Sequence, residues 1–295
     1  MVAGVDVAVV RVAVGDGAEL NVRVWDAGNG GGTAFLLVHG LSSNARLWDG
    51  LAARLAALGH RVAAVDQRGH GLSSKPDDGY DFATLAADLL VVAERVDLDC
   101  PVVAGQSWGA NVVLDLAVQH PEAVRGVVAL DGATGDMRTR FPTWEECAAA
   151  LAPPELVGMQ LERIEVGMRR RHPDWPESGI KGALACYEVR ADGTVAPWLT
   201  RDRHMRILRE LWAHSPTDLY PRLRVNALLA PCAPHEETGR ASARVRAKRA
   251  SVQRIAASHR RVRVHWFHAD HDVHAQRPDE VAELFHARVE DGFFG

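Results

Sequence analysis

The sequence predicts an α/β fold: a mostly parallel, twisted sheet flanked by helices, with an inserted helical lid. Three observations predict it. Short, continuously apolar runs alternate with amphipathic segments of helical length, as expected of parallel strands buried on both faces. The alternation lapses between about Gly132 and Ser215 and then resumes. At 295 residues the chain exceeds the usual single-domain size, so one large core with an insertion, or two units, is expected.

The elements follow in order. "VAVVRVAVGDGAELNVRVW" reads as a hairpin, its two β-rich arms joined at the turn Gly15-Asp16-Gly17. "AFLLVHG" is the next strand, followed by a helix near Ala45 to Leu58. "RVAAVDQRG" precedes a helix near Phe82 to Arg95, and "PVVAGQS" one near Ala110 to Gln119. "VRGVVALDG" closes this half. The interrupting stretch carries Pro142, Pro153, Pro154, Pro173, Pro176 and Pro197 and half of the eight tryptophans. After it come "RVNALLAPC", a helix near Ala241 to Ala257, "RVRVHWFHAD" and a last helix near Asp279 to Val289. The core is therefore expected over residues 1–131 and 216–295, with the lid over 132–215. No internal repeat or low-complexity tract appears.

Composition narrows the function. A chain that is 47% hydrophobic and 24% charged, with 34 basic against 38 acidic residues, is an ordinary globular protein without a nucleic-acid signature. The arginine-dense run from Gly239 to Val264 carries an apolar stripe, Val245, Val252 and Ile255, at helical spacing, and reads as a solvated surface helix. Cys100, Cys147, Cys186 and Cys232 lie far apart without a C-x-x-C pair, which argues against a zinc site or a disulfide framework and for reduced thiols in the cytoplasm. The first residues, "MVAGVDVAVVRVAV", are broken by Asp6 and Arg11 and read as a strand rather than a signal peptide or membrane span.

"VVAGQSWGANVV" places a small polar residue between two glycines straight after an apolar run. Gly105-Gln106-Ser107-Trp108-Gly109 matches G-x-S-x-G at the end of a strand and the start of a helix, the context that gives the motif meaning. A sharp strand-to-helix turn brings the chain close to its neighbours, where a Cβ at either flank would clash. The turn lifts the Ser107 hydroxyl above the sheet, and the helix N-terminus directs the Trp108 N–H toward developing negative charge.

With "LLVHG" at Leu36 to Gly40, "VDQRGHGLS" at Val65 to Ser73 and "GQSWG", the sequence resembles the α/β-hydrolase family over nearly its whole length. The resemblance implies Ser107 as nucleophile and the backbone N–H groups of Leu41 and Trp108 as oxyanion hole. Asp66, Arg68, Gly69 and His39 are expected to hold loops together.

A serine hydroxyl needs a histidine to take its proton and a carboxylate to orient that histidine. The loop after the last strand offers His268, His271 and His274. Family members commonly read G-H, six residues, then Pro, and counting back from Pro278 implies His271, with His274 the runner-up and His268 ending the strand. For the acid, Ala233 and Pro234 stand where many relatives have Asp, and Glu236 and Glu237 come slightly late. Asp131, after the strand that follows the elbow helix, matches a second subset of the family and fits better. Asp270 and Asp272 flank His271 and are expected to point away from its ring.

The function expected is a serine hydrolase cleaving a carboxylic ester or lactone of a bulky, apolar small molecule through an acyl-enzyme. A C–C bond hydrolase, a cofactor-free dioxygenase and a non-catalytic ligand-binding relative are the alternatives. S-W-G resembles the D-W-G elbow of haloalkane dehalogenases and epoxide hydrolases, but with serine in place of the attacking aspartate. The lid tryptophans Trp144, Trp175, Trp198 and Trp212 either line a substrate pocket or pack the lid. No cofactor or metal is implied; the expected partner is a small-molecule substrate, not nucleic acid or membrane, and a homodimer is left open.

Overall fold

A computed structural model describes residues 6–26, 28, 32–234 and 239–295. The opening hairpin is β1 (Val7–Ala13) and β2 (Glu19–Trp25), paired antiparallel. Then come β3 (Phe35–Val38), α1 (Asp49–Ala57), β4 (Val62–Val65), α2 (Phe82–Arg95), β5 (Val102–Gln106), α3 (Trp108–Gln119) and β6 (Gly126–Leu130). Residues between β6 and the next core strand form α4 (Met137–Arg140), α5 (Trp144–Leu151), α6 (Leu161–Arg171), α7 (Glu177–Leu184), the hairpin β7 (Tyr187–Val189) and β8 (Val195–Pro197), and α8 (Arg201–Ala213). The core resumes with β9 (Asn226–Ala230), β10 (Cys232–Ala233), α9 (Gly239–Ser258), β11 (Val262–Val264), β12 (Phe267–His268), α10 (Val273–Gln276) and α11 (Pro278–Glu290). Among the described residues no helix is long and apolar enough to cross a membrane.

The main sheet runs β1-β2-β4-β3-β5-β6-β9-β11, parallel from β4 through β11 and antiparallel at β1, β2 and β4. Strands β3, β4, β5 and β6 are buried at every position, which is why each reads as an unbroken apolar run. Their side chains feed two apolar cores, one on each face. Leu36, Val38, Val103 and Val127 join one with Trp108 and Leu89, while Phe35, Leu37, Val102 and Val128 join the other with Trp48 and Phe285.

Local details depart from the expected boundaries. The helix expected from Ala45 opens as a 3₁₀ turn over Ala45–Trp48, because the Asn44 side chain accepts from the Arg46 N–H, and the α-helix begins only at Asp49. "RVRVHWFHAD" divides into β11 and β12. The second pairs with β10 in a separate parallel ladder, Cys232 opposite Phe267 and Ala233 opposite His268. In α9 the stripe is buried, Val245 at 5%, Val252 at 1% and Ile255 at 6% exposed.

The register positions the site. Val38 pairs with Gly105, Gln106 with Leu130, and Leu130 with Ala230, so three neighbouring strands end level. The residues that follow, Gly40 and Leu41, Ser107, Asp131 and Cys232, gather at that carboxyl edge, where open α/β sheets hold their ligands.

The loop after β4 braces this edge. Asp66 accepts from the Ala45 N–H at 2.6 Å, the Leu72 N–H at 2.9 Å and Asn21 Nδ2 at 2.9 Å. Arg68, 1% exposed, grips Asp88 through two 2.7 Å hydrogen bonds and Asp16 through a third of the same length. Arg68→Met strands the Asp88 carboxylate in the core and is expected to destabilise the protein by about 3–5 kcal/mol, with Arg68→Met/Asp88→Leu recovering most of that loss. Urea denaturation measures both; a single-variant loss below about 1 kcal/mol would mean that the pair is not structural.

Candidate active site

Between β5 and α3 the chain reverses at Ser107, whose φ of 54° and ψ of −116° put a side-chain-bearing residue in territory that glycine favours. Such a conformation costs on the order of 1–3 kcal/mol and persists only where the surroundings impose it. Here the Ser107 N–H donates to Leu130 O at 2.9 Å, and Ser107 O accepts from Ala110 N and Asn111 Nδ2, both at 3.1 Å. A Cβ on Gly105 would overlap the Gly109 carbonyl, and one on Gly109 would overlap the carbonyls of Val38 and His39, so both flanks must be glycine. Trp108, fully buried, opens α3, and the N–H groups of a first helical turn have no partner within the helix.

Asp131 follows β6 with a positive φ of 42°. Its side chain is 6% exposed, and both carboxylate oxygens are engaged. Oδ2 accepts from His271 Nδ1 at 2.6 Å; Oδ1 accepts from the Cys232 N–H at 2.8 Å and from Lys248 Nζ at 2.6 Å. Burial alone would push this carboxyl up, but the His271 hydrogen bond and the Lys248 charge outweigh it and hold it below the usual carboxylate range. His271 keeps 53% of its side-chain surface accessible. Its partial burial pulls the imidazole down, and the hydrogen bond and charge of Asp131 overcome that and raise it. Gln106 Nε2 donates to His271 O at 3.2 Å, tying the histidine loop to the residue before Ser107.

The other candidates lie elsewhere. His274, 1% exposed, lies tilted against Trp48 with ring centroids 4.0 Å apart, and burial drives its imidazole down to about 3. His268 ends β12. The Asp270 carboxylate faces His172 of the segment after α6 at 3.2 Å. Burial raises the Asp272 carboxyl. Glu236 and Glu237 fall outside the described residues. His39 is fully buried, accepting from the Gln67 N–H at 3.0 Å through Nε2.

Leu41 precedes Ser42, which has a φ of 63°, and a Cβ on Gly40 would come 3.1 Å from Ser107 Cβ, so this loop lies against the elbow. Two buried histidines secure it. The Ser42 N–H donates to His70 Nε2 at 3.3 Å, while the Ser42 hydroxyl bonds His204 Nδ1 at 2.7 Å and His204 Nε2 donates to Leu151 O at 3.1 Å. Burial depresses both rings below the usual imidazole value. His204 thereby links α8 to the loop of Leu41.

All four lid tryptophans are half-buried. Trp144 and Trp212 meet edge to face at 6.2 Å, and the Trp212 indole donates to Phe141 O at 2.8 Å. Trp175 stacks on His172 at 4.4 Å and, with Pro173 and Pro278, lines an open concavity of about 430 Å³ between the α6–α7 segment and α11. Lys75 lies over Trp198 at 5.2 Å.

Gln106 and His70 fill variable positions of the two motif loops, while Lys248 and His204 carry no motif; the sequence predicts a site role for none of the four. Only Lys248 left a signal. It falls three residues after Val245 and four before Val252, on the apolar face of α9. Among the described residues no group of three or more His, Cys, Asp or Glu side chains is arranged to hold a metal ion.

The family model described as "alpha/beta hydrolase fold" matches residues 33–166. The 2-(acetamidomethylene)succinate hydrolase of Mesorhizobium japonicum is 33% identical over 193 residues, 63% of this chain and 64% of that protein. Epoxide hydrolase A of Mycobacterium tuberculosis is 37% identical over 113 residues, 38% of this chain and 35% of that one. The crystal structure titled E-2-(acetamidomethylene)succinate hydrolase superposes with a TM-score of 0.74 at 24% identity, covering 97% of this chain and 100% of that one. The chain has the α/β-hydrolase fold.

If His271 acts as a base, kcat/KM falls on the acid side with a midpoint above the ordinary imidazole value of about 6.5, because Asp131 stabilises the protonated ring. Asp131→Asn lowers that midpoint and reduces kcat by roughly 10³–10⁴. His271→Ala is expected to abolish turnover while leaving thermal stability nearly intact. His274→Ala shows the opposite pattern, since it empties a packed site beside Trp48. Equal activity losses for the two histidine variants would remove His271 from the role.

Proposed function

We propose that the protein is a serine hydrolase cleaving a carboxylic ester or lactone of a bulky, apolar small molecule through an acyl-enzyme. The observation that carries this reading is the 2.6 Å contact of His271 Nδ1 with Asp131, on a loop that Gln106 ties beside the strained Ser107 elbow. With Nδ1–H committed to Asp131, Nε2 is the nitrogen left to take the Ser107 proton. Ser107 Oγ attacks the substrate carbonyl, and the oxyanion that forms is held by the N–H groups of Leu41 and Trp108. His271 then donates its proton to the leaving alkoxide, giving the acyl-enzyme. A water, deprotonated by the same nitrogen, releases the acid and restores Ser107.

The similarity to Epoxide hydrolase A extends this chemistry no further, because the elbow carries a hydroxyl rather than a carboxylate. The similarity to a protein named 2-(acetamidomethylene)succinate hydrolase supports a hydrolytic reading. We assign residues 132–215 to a lid that selects substrates, with the core supplying the chemistry.

A fluorophosphonate is expected to label Ser107, read by peptide mass spectrometry, and Ser107→Ala to lower turnover by several orders of magnitude while the fold is retained. A variant keeping over about a tenth of the activity would exclude the serine mechanism, and oxygen uptake with a heteroaromatic substrate would move the reading to a cofactor-free dioxygenase. For the lid, Trp144, Trp175, Trp198 and Trp212 are changed singly to Ala, and kcat/KM for short acetate esters is compared with that for bulky aromatic esters. At least one change should shift the ratio by more than about twofold, or 0.5 kcal/mol; no shift would mean that these rings only pack against one another.

A further inference from the structure

We infer that Lys248 is a positioning residue that acts through Asp131, locking the carboxylate toward His271 and keeping that imidazole a weaker base than Asp131 alone would make it. This rests on the serine-hydrolase reading for its catalytic meaning, though not for its geometry.

A surface helix with an apolar stripe ordinarily keeps its lysines in solvent. Lys248 instead stands on the buried side of α9, between Val245 and Val252, with 29% of its side chain exposed. Its ammonium reaches Asp131 Oδ1 at 2.6 Å and Cys232 O at 2.9 Å, while the Cys232 N–H donates to the same Oδ1 at 2.8 Å. One peptide unit and one ammonium thus clamp Oδ1 from two directions. The carboxylate cannot rotate without breaking both contacts, and Oδ2 is left aimed at His271 Nδ1, 2.6 Å away.

The clamp is charged, and that separates it from a purely structural hydrogen bond. Two cations cannot each draw the full benefit of one carboxylate. The ammonium offsets part of the Asp131 charge, so protonation of His271 is less favoured than beside an unshared aspartate. Among the described residues, the other titratable groups around this imidazole are Asp272 and Asp270 on its own loop, His274 on α10, His172 from the lid and the Cys232 thiol. Asp272 favours the imidazolium, whereas His274, driven down to about 3 by burial, carries no charge over the range in which His271 titrates. Neither touches Asp131, so Lys248 is the cation that sets how much of the carboxylate reaches the ring.

The test is a histidine titration by NMR, the His271 resonance being assigned by its loss in His271→Asn. Lys248→Met should raise the His271 pKa by about half a unit to one unit, and the acid limb of kcat/KM should move with it. One pH unit below the wild-type midpoint, kcat/KM then falls by roughly threefold to tenfold, since each unit is a factor of ten in protonation. Lys248→Arg should restore most of the shift, while Arg254→Met, which removes an exposed charge from the same helix, should leave the titration in place. An unmoved His271 titration in folded Lys248→Met, or an equal shift in Arg254→Met, overturns the inference. Loss of activity at every pH without movement of the limb also overturns it, because that is what a structural contact alone would give. Should Lys248→Met fail to fold, Lys248→Gln, which can still donate to Cys232 O, decides by the same titration. Fluorophosphonate labelling of Ser107 is scored separately, so failure of the nucleophile and failure of the clamp leave different records.

Discussion

Backbone meets backbone at Gly105 and Gly109, and the contact is close enough that neither position admits a Cβ. The rest of the architecture depends on that approach. It lets α3 start immediately after β5, forces Ser107 into a left-handed conformation and holds the serine N–H against Leu130 O of the neighbouring strand. Among the described residues six side-chain-bearing positions have positive φ; Ser42, Ser107, Asp131 and Ala133 lie at this edge of the sheet, and Asp97 and Cys100 lie before β5. Strain concentrated in this way survives only because β3, β5, β6 and β9 are paired in one parallel register and buried on both faces.

A second constraint is the shortage of solvent around Asp131. A carboxylate with 6% of its surface exposed has to be matched by donors, and the three that reach it come from three separate parts of the chain: the start of β10, α9 and the loop before α10. The donors that satisfy the acid are therefore also the ties that close the second half of the fold onto the first. The β10–β12 ladder has a matching role, since pairing Ala233 with His268 sets the loop of His271 beside the strand end that carries Asp131.

Imidazoles of the segment between β6 and β9 meet the core at three places, beside other ties such as Asn44 to Gly182 O and Arg203 to Asp77. His204 reaches Ser42 beside the elbow, His172 reaches Asp270 next to His271, and His214 at the end of α8 reaches Asp115 of α3 at 2.8 Å. Each of these contacts places an imidazole from the inserted segment against a core loop or helix, alongside the apolar packing of Leu199 and Ile207 into the core.

Much of the fold was legible because its causes are local. Alternating apolar runs mark strands buried on both faces, Phe82 to Arg95 forms the helix expected of it, and the Gly-Asp-Gly turn joins β1 to β2 as read. The elbow was legible for the same reason: glycine spacing, strand and helix lie within a few residues of one another. Element starts were less so, since the 3₁₀ opening at Ala45 depends on the Asn44 side chain rather than on periodicity. What only the tertiary structure decided are contacts between residues far apart in the chain. The spacing from Pro278 favours His271 over His274, but only the packed chain shows one ring meeting Asp131 across 140 positions and the other lying against Trp48 in the core. Lys248 looked like one more charge on a solvated helix, and its ammonium meets Asp131 across 117 positions. Local pattern determines which face of an element is buried, but which polar groups meet in the interior depends on how the buried faces are brought together, and that is set by the packing of the whole chain.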